Sequence, residues 1–136
     1  MKKSLTKKRL GAFVKDENGS VTIESVIWFP IFAILLAFIM NISMVFFNES
    51  QMLRVVQDGN RAFSLGRLDS AAEVEQYILT ELSYLDVNLN VTSAVAGGLI
   101  ETDLTVAASE LMPLNFMTGA FSGIQVGVNA QHIIEF

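Results

Sequence analysis

The feature that most constrains this chain is an apolar run of 22 residues, from Val26 to Phe47, that contains no charged side chain. As a helix this run would be about 33 Å long, which is enough to cross a hydrocarbon core of about 30 Å. A helix that is apolar on all sides must be buried on all sides, and a small soluble domain cannot provide that burial. The run therefore predicts a membrane-spanning helix, interrupted by only two strongly polar residues, Asn41 and Ser43.

Charge is distributed unevenly on the two sides of this run. Residues 1–19 have a net charge of +4 and residues 48–136 a net charge of −8, within a total of −5. Basic flanks stay on the cytoplasmic side, so the N-terminus should lie inside and the C-terminal part outside. The lysines of the leader would hold it near anionic membrane lipid. The acidic outer part argues against nucleic acid as a partner, because phosphate binding needs a basic face.

The predicted domain organisation has three parts, a basic leader (1–19), a transmembrane helix (20–47) and an outer domain (48–136). The last part is long enough for one small folded domain. A signal peptide is the competing interpretation of the N-terminal part. The apolar run is longer than the roughly 7–15 residues typical of such peptides, and no small-x-small cleavage site closes it. The chain has no cysteine, which excludes disulfides and thiolate metal sites.

Helical and strand patterns follow one another in the outer part, which predicts an α+β fold. Apolar residues recur at helical spacing after Asn48, so the anchor should continue as one helix of about 40 residues, membrane-spanning first and amphipathic later. Gly66 is the predicted stop of this helix. Ser70 and Glu73 form a predicted capping box that opens a second, short helix ending near Leu85.

Three alternating segments then predict a small three-stranded antiparallel sheet. The first begins near Val87, the second follows the turn signal at residues 97–98, and the third runs from about Gly123 to Phe136. A sheet of this size needs a helix to cover its apolar face. The amphipathic half of the long helix is available for that role.

Residues with catalytic potential are scarce in this sequence. The single histidine, His132, falls on a core-facing parity near the end of a strand, where a structural role is expected. Glu101 and Asp103 share a strand face that is predicted to be solvated. No acids occur with a histidine at metal-ligand spacing. The sequence therefore predicts no catalytic residue, no metal site, no cofactor and a protein that is not an enzyme.

Glu24 lies at the front edge of the predicted span. A carboxylate at the centre of a span costs about 2.5–3.5 kcal/mol, and less at the edge. Two interpretations stay open. Glu24 is a functional residue that needs a partner, or it lies at the lipid headgroups or is stabilised by the helix N-terminus. Pro30 lies inside the span and predicts a local kink of the helix.

The stretch from Gly19 to Pro30 resembles the class III signal of type IV prepilins, in which a basic leader, a glycine, four residues and a glutamate precede an apolar helix. It is similar in particular to the TadE-like pseudopilins of tight-adherence (Flp-type) pili, in which a proline lies six residues after the glutamate. The resemblance implies cleavage by a prepilin peptidase between Gly19 and Ser20. It also implies that Glu24 pairs with the new amino terminus of a neighbouring subunit and sets the axial register. The implied partners are other pilins or pseudopilins, contacted through the N-terminal helix, and the inner-membrane pilus assembly platform.

Two positions differ from relatives of this kind. Ser20 stands where classical type IV pilins have phenylalanine, which leaves N-methylation open. Ser25 follows Glu24, whereas the major Flp subunit has tyrosine there, so the resemblance implies a minor pilin or pseudopilin. Such a protein would be anchored in the bacterial inner membrane with its C-terminal domain in the periplasm, or incorporated into an extracellular pilus. The alternatives are an unprocessed single-span protein whose acidic outer domain binds a partner, and a minor pseudopilin of a type II secretion system.

Overall fold

The structure, a computed structural model, describes residues 18–136, so the predicted leader, apart from its last two residues, lies outside the described residues. The described residues divide into two compact units, one that ends at Ala37 and one over Phe38–Phe136. The first helix, α1, runs over Asn18–Ser64 and contains Pro30. The single long N-terminal helix predicted from the apolar run and the amphipathic pattern after it is thereby confirmed.

Gly66 ends α1, as predicted. Its φ of 72° lies in the left-handed region, which glycine adopts without steric cost. The Gly66 N–H donates to the Phe63 carbonyl and the Arg67 N–H donates to the Ala62 carbonyl, both at 2.9 Å. This pair of hydrogen bonds is a Schellman motif, which satisfies two carbonyls at the end of the helix.

The second helix, α2, runs over Ala71–Glu81 and has Ser70 as its N-cap. The Ser70 hydroxyl accepts a hydrogen bond from the Glu73 N–H at 3.2 Å, and the Glu73 carboxylate accepts one from the Asp69 N–H at 2.8 Å. The capping box is thus present, with its return bond made one residue earlier than in the standard motif. The helix is shorter than predicted, because the chain tightens into a 3₁₀ turn over Ser83–Leu85.

Three antiparallel strands form one sheet in the order β1-β2-β3, which confirms the predicted α+β architecture. The first strand begins at Asn90 and not near Val87, because Asp86 adopts a left-handed conformation that ends the preceding turn. The last strand ends at Ile133, which pairs with Leu99 at the start of β2, so the residues after it have no strand partner. The strands are β1 (Asn90–Ala96), β2 (Leu99–Ala107) and β3 (Gln125–Ile133).

The core lies between one face of the sheet and the two helices, within the unit Phe38–Phe136. Alternate residues of β2 are fully or almost fully buried, as its apolar alternation predicted. The amphipathic half of α1 covers the sheet, as predicted, and α2 packs on the same core. The main buried apolar residues are Met52, Val56 and Phe63 of α1, Val74 and Ile78 of α2, and Ile100, Leu104 and Val106 of β2.

A buried polar chain joins α1 to the middle of the sheet. The Thr102 hydroxyl of β2 donates to Asn60 Oδ1 at 2.6 Å, and the Ser93 hydroxyl lies 2.8 Å from the Thr102 hydroxyl. Asn60 Nδ2 donates to the Ala130 carbonyl of β3 at 2.9 Å. Because Asn60 is only 1% exposed, these bonds satisfy polar groups that water does not reach.

The opposite face of the sheet carries the acids Glu101 and Asp103, which are solvated as predicted. Asn129 Nδ2 donates to both carboxylates, at 2.9 Å and 2.6 Å. The bond from Asn129, followed by one from Gln131, holds the pKa of Glu101 below its ordinary value. The contribution of Glu101 to stability is therefore present above the ordinary pKa and is lost as the pH falls through the lowered pKa.

We expect Asn129→Ala to raise the pKa of Glu101 towards its ordinary value, because the carboxylate loses its main donor. The stability difference between the two proteins should then shrink as the pH falls through the acid range. NMR titration of the Glu101 carboxyl carbon in micelles measures the pKa directly. Gln131→Ala is the matched control and should give a smaller rise, and an unchanged pKa in Asn129→Ala would contradict the assignment.

Candidate functional site

The residues at the start of α1 include the predicted processing site. Gly19 and Ser20 lie in the first turn of this helix, and both are exposed. A Cβ added at Gly19 would meet no atom within 4 Å, and the φ of Gly19 is not in the left-handed region. The fold of the described residues therefore does not account for a glycine at this position.

Glu24 lies on the same helix, one turn after Ser20, so the two side chains project from neighbouring positions on one face. Glu24 is exposed. The first turn of α1 contains no acidic residue, so Glu24 lies beyond the turn in which the helix dipole acts most strongly. Both interpretations of Glu24 stay predictions.

An aromatic surface continues from Glu24 along α1. Val21, Glu24, Ser25, Trp28 and Phe32 line one shallow groove on the helix surface. The ring centroids of Trp28 and Phe32 are 6.2 Å apart, and these side chains are 50% and 58% exposed. The helix thus presents an apolar face with one carboxylate at its N-terminal end, an arrangement suited to an apolar helix that supplies a cation.

The other residues singled out in the sequence are placed as follows. Pro30 lies inside α1, which continues through it, and the predicted kink stays a prediction. His132 is partly buried on the edge strand β3, where its Nδ1 lies 2.9 Å from the Ile133 carbonyl oxygen. Within residues 18–136, no group of histidine, cysteine, aspartate or glutamate residues is placed to hold a metal ion.

Asn41 is a residue whose role the sequence analysis missed. It is 3% exposed, although it lies in the apolar run. Its Nδ2 donates to the carbonyls of Leu114 and Phe116, and its Oδ1 accepts from the Leu114 N–H, all at 3.1 Å. The available signal was a strongly polar amide in an otherwise apolar helix, which by default marks a specific partner.

The family likeness of the chain is concentrated in α1. Residues 19–61 match the family model described as TadE-like protein. This TadE-like segment begins at Gly19, contains Glu24 and Pro30, and covers about a third of the chain. The resemblance noted over Gly19 to Pro30 is thereby confirmed. No curated protein and no solved structure matches the chain.

The description of the matched family suggests a protein associated with the tight-adherence pilus system. Among the described residues, one helix, Gly19–Ser64, is long and apolar enough to cross a membrane. Length and composition are thus compatible with a single-pass membrane protein.

Proposed function

We propose that this chain is a minor pilin or pseudopilin that takes part in the assembly or initiation of a tight-adherence type IV-like pilus. The observation that carries the proposal is the TadE-like match, which begins at Gly19. In this proposal a prepilin peptidase cleaves between Gly19 and Ser20. Both residues are exposed at the start of α1, which supports access by the peptidase. The fold of the described residues does not require a glycine at position 19, which supports the idea that the peptidase selects this residue.

The proposed topology follows from charge. The basic leader stays in the cytoplasm, α1 crosses the bacterial inner membrane, and the acidic domain lies in the periplasm or joins the extracellular pilus. The partners are then the prepilin peptidase, other pilins or pseudopilins along α1, and the assembly platform of the inner membrane. The pilus would serve cell adhesion and biofilm formation.

The N-terminal residue of the protein recovered from membranes tests this proposal. Cleavage predicts Ser20 as the first residue, whereas recovery of Met1 would refute processing and favour a permanently tethered domain.

A second test deletes the gene for this chain, which distinguishes a role in the tight-adherence pilus from a role in type II secretion. The proposal predicts loss of tight-adherence pili with unchanged type II secretion, and the reverse result would assign the protein to the secretion system.

In this proposal, cleavage creates a positively charged group that can pair with the Glu24 carboxylate. Removal of the leader leaves an α-amino group on Ser20, whose ordinary pKa of about 7.7–8.0 makes it largely charged. Two opposite charges in a dry bundle of apolar helices are stable only as a pair. Since Glu24 is exposed, its carboxylate is available to the amino terminus of a neighbouring subunit. Such a pair would fix the axial position of one subunit against the next.

We expect Glu24→Ala to be inserted and cleaved normally but to be excluded from the assembly. Loss of one partner of a buried pair costs about 3–5 kcal/mol, so incorporation should fall about 100-fold or more. The measurement is the amount of protein that co-purifies with the partner pilins. Asp58→Ala removes an exposed acid of the same helix and should assemble normally. Normal co-purification of Glu24→Ala would refute the pairing.

A further inference from the structure

The compact C-terminal unit begins inside the apolar run. It comprises Phe38–Phe136, so its first ten residues are also the last ten of the run that ends at Phe47. Asn41 and Val45 are only 3% and 9% exposed, because other parts of this unit pack on them. This part of α1 is therefore not a bare helix but is covered on one side by protein.

The covering segment is the connection between β2 and β3. We call its residues 112–124 the apolar loop. Asn41 binds this loop through all the hydrogen bonds described above, so one side-chain amide satisfies two carbonyls and one N–H of the loop backbone. Backbone polar groups that leave water must find a hydrogen-bond partner within the protein, and Asn41 is that partner for these three groups. The clamp thus lowers the cost of taking this part of the loop backbone out of water.

The side chains of the apolar loop fit the same environment. Residues 111–134 contain no aspartate, glutamate, lysine or arginine, in a chain whose outer part is otherwise acidic. Four large apolar side chains of the loop are substantially exposed, which is costly in water when they are grouped. They are Leu114 at 37%, Phe116 at 38%, Met117 at 44% and Ile124 at 49%.

An open groove of about 430 Å³ lies between the apolar loop and α1. Its lining is mainly apolar and also includes one carboxylate and one amide side chain. The apolar residues include Ile42, Val45 and Phe46 of the helix and Phe121 and Ile124 of the loop, and the polar ones are Glu49 and Gln125. The helix side of the groove is continuous with the exposed residues Phe46 and Phe47, which are 63% and 56% exposed. Helix and loop therefore form one apolar surface.

The position of Asn41 along the helix indicates what covers this surface. Asn41 lies six residues before Phe47, the end of the apolar run. At about 1.5 Å per residue, the clamp lies about 9 Å inside that end. If the run crosses the bilayer, the segment clamped to Asn41 must lie at the depth of the acyl chains of the outer leaflet.

We propose that the apolar loop inserts into the outer leaflet of the membrane and that lipid acyl chains cover its exposed side chains and the groove beside α1. The proposal rests on the span in the proposed function, and it goes further by embedding the base of the outer domain. The domain is then held at a fixed depth and tilt by the loop and α1 together. Asn41 is the positioning residue that keeps the loop against the helix.

Quenching of a fluorophore by lipids that carry bromine on their acyl chains tests the insertion. The chain has no native cysteine, so single cysteines can be introduced and labelled without removing any residue of that type. The full chain is reconstituted in vesicles at a low protein-to-lipid ratio, which keeps neighbouring copies apart. The labelled variants are Phe116→Cys and Met117→Cys in the loop, Ile34→Cys in the span and Tyr84→Cys, at an exposed site remote in sequence from the loop.

The expected result is loss of fluorescence at positions 34, 116 and 117 and no loss at position 84. Quenching at position 34 without quenching at 116 and 117 would overturn loop insertion while leaving the span intact. Absence of quenching at position 34 would overturn the span and the insertion together. Labels at 116 and 117 that are shielded from both the brominated lipid and a water-soluble quencher would assign the surface to a protein neighbour and overturn the lipid proposal.

Discussion

Gly19→Val is expected to abolish removal of the leader while leaving the fold of the described residues unchanged. A Cβ at this position would meet nothing within 4 Å, so the substitution introduces no clash among those residues. The proposed peptidase, in contrast, must bring its catalytic groups close to the backbone at this residue, where a branched side chain would block the approach. The uncleaved chain should accumulate in the membrane and begin at Met1.

Mass spectrometry of the purified protein measures this effect as a shift by the mass of the whole leader. Gly123→Val is the matched control, because a Cβ at Gly123 also meets nothing within 4 Å. It changes a glycine far from the cleavage point and should leave processing complete. Normal removal of the leader from Gly19→Val would show that the residue before the cleavage point is not selected by the peptidase.

Asn60→Ala should lower the free energy of unfolding of the unit Phe38–Phe136 by about 1–3 kcal/mol, because a buried polar group that loses its hydrogen-bond partner costs about that much. The Ala130 carbonyl loses the hydrogen bond donated by the amide of Asn60, and the Thr102 hydroxyl loses its acceptor on that amide but keeps its contact with the Ser93 hydroxyl. Both groups lie in the sheet, so the substitution removes the hydrogen bonds that link α1 to β2 and to β3.

Pulse proteolysis of the full chain in micelles over a urea series measures this change in stability. Asn90→Ala provides the comparison, since Asn90 is exposed at the start of β1. We expect its free energy of unfolding to stay within about 0.5 kcal/mol of the parent value. Equal stabilities of the two variants would show that the buried polar chain does not hold the helix on the sheet.

Much of the local structure could be predicted because short-range patterns specify it. The end of α1 at Gly66 and the start of α2 at Ser70 follow from the preferences of single residues for capping positions. The buried face of β2 follows from the alternation of side chains along the strand, which places Ile100, Leu104 and Val106 on one face. The candidate residues Gly19 and Glu24 can be singled out because their spacing, followed by an apolar helix, is a sequence motif in itself.

The errors have a common origin in the surroundings of each segment. The alternation predicts that β1 starts near Val87 and that β3 ends near Phe136, because it continues to those residues. The strands are shorter, since pairing with β2 does not extend beyond the pairs Asn90–Thr105 and Leu99–Ile133. Alternation indicates which side chains can face a core, whereas pairing decides how far the strand extends.

The sequence by itself determined that this protein has one long helix, apolar first and amphipathic later, followed by a short helix and a small sheet. Only the tertiary structure decided which polar residues of that helix matter to the fold. Asn41 reaches Leu114 across 73 positions of the chain, and Asn60 reaches Ala130 across 70. Hydrogen bonds between residues so far apart produce no periodic pattern in the sequence, because their partners meet only after the apolar faces of the helix and the sheet have packed together.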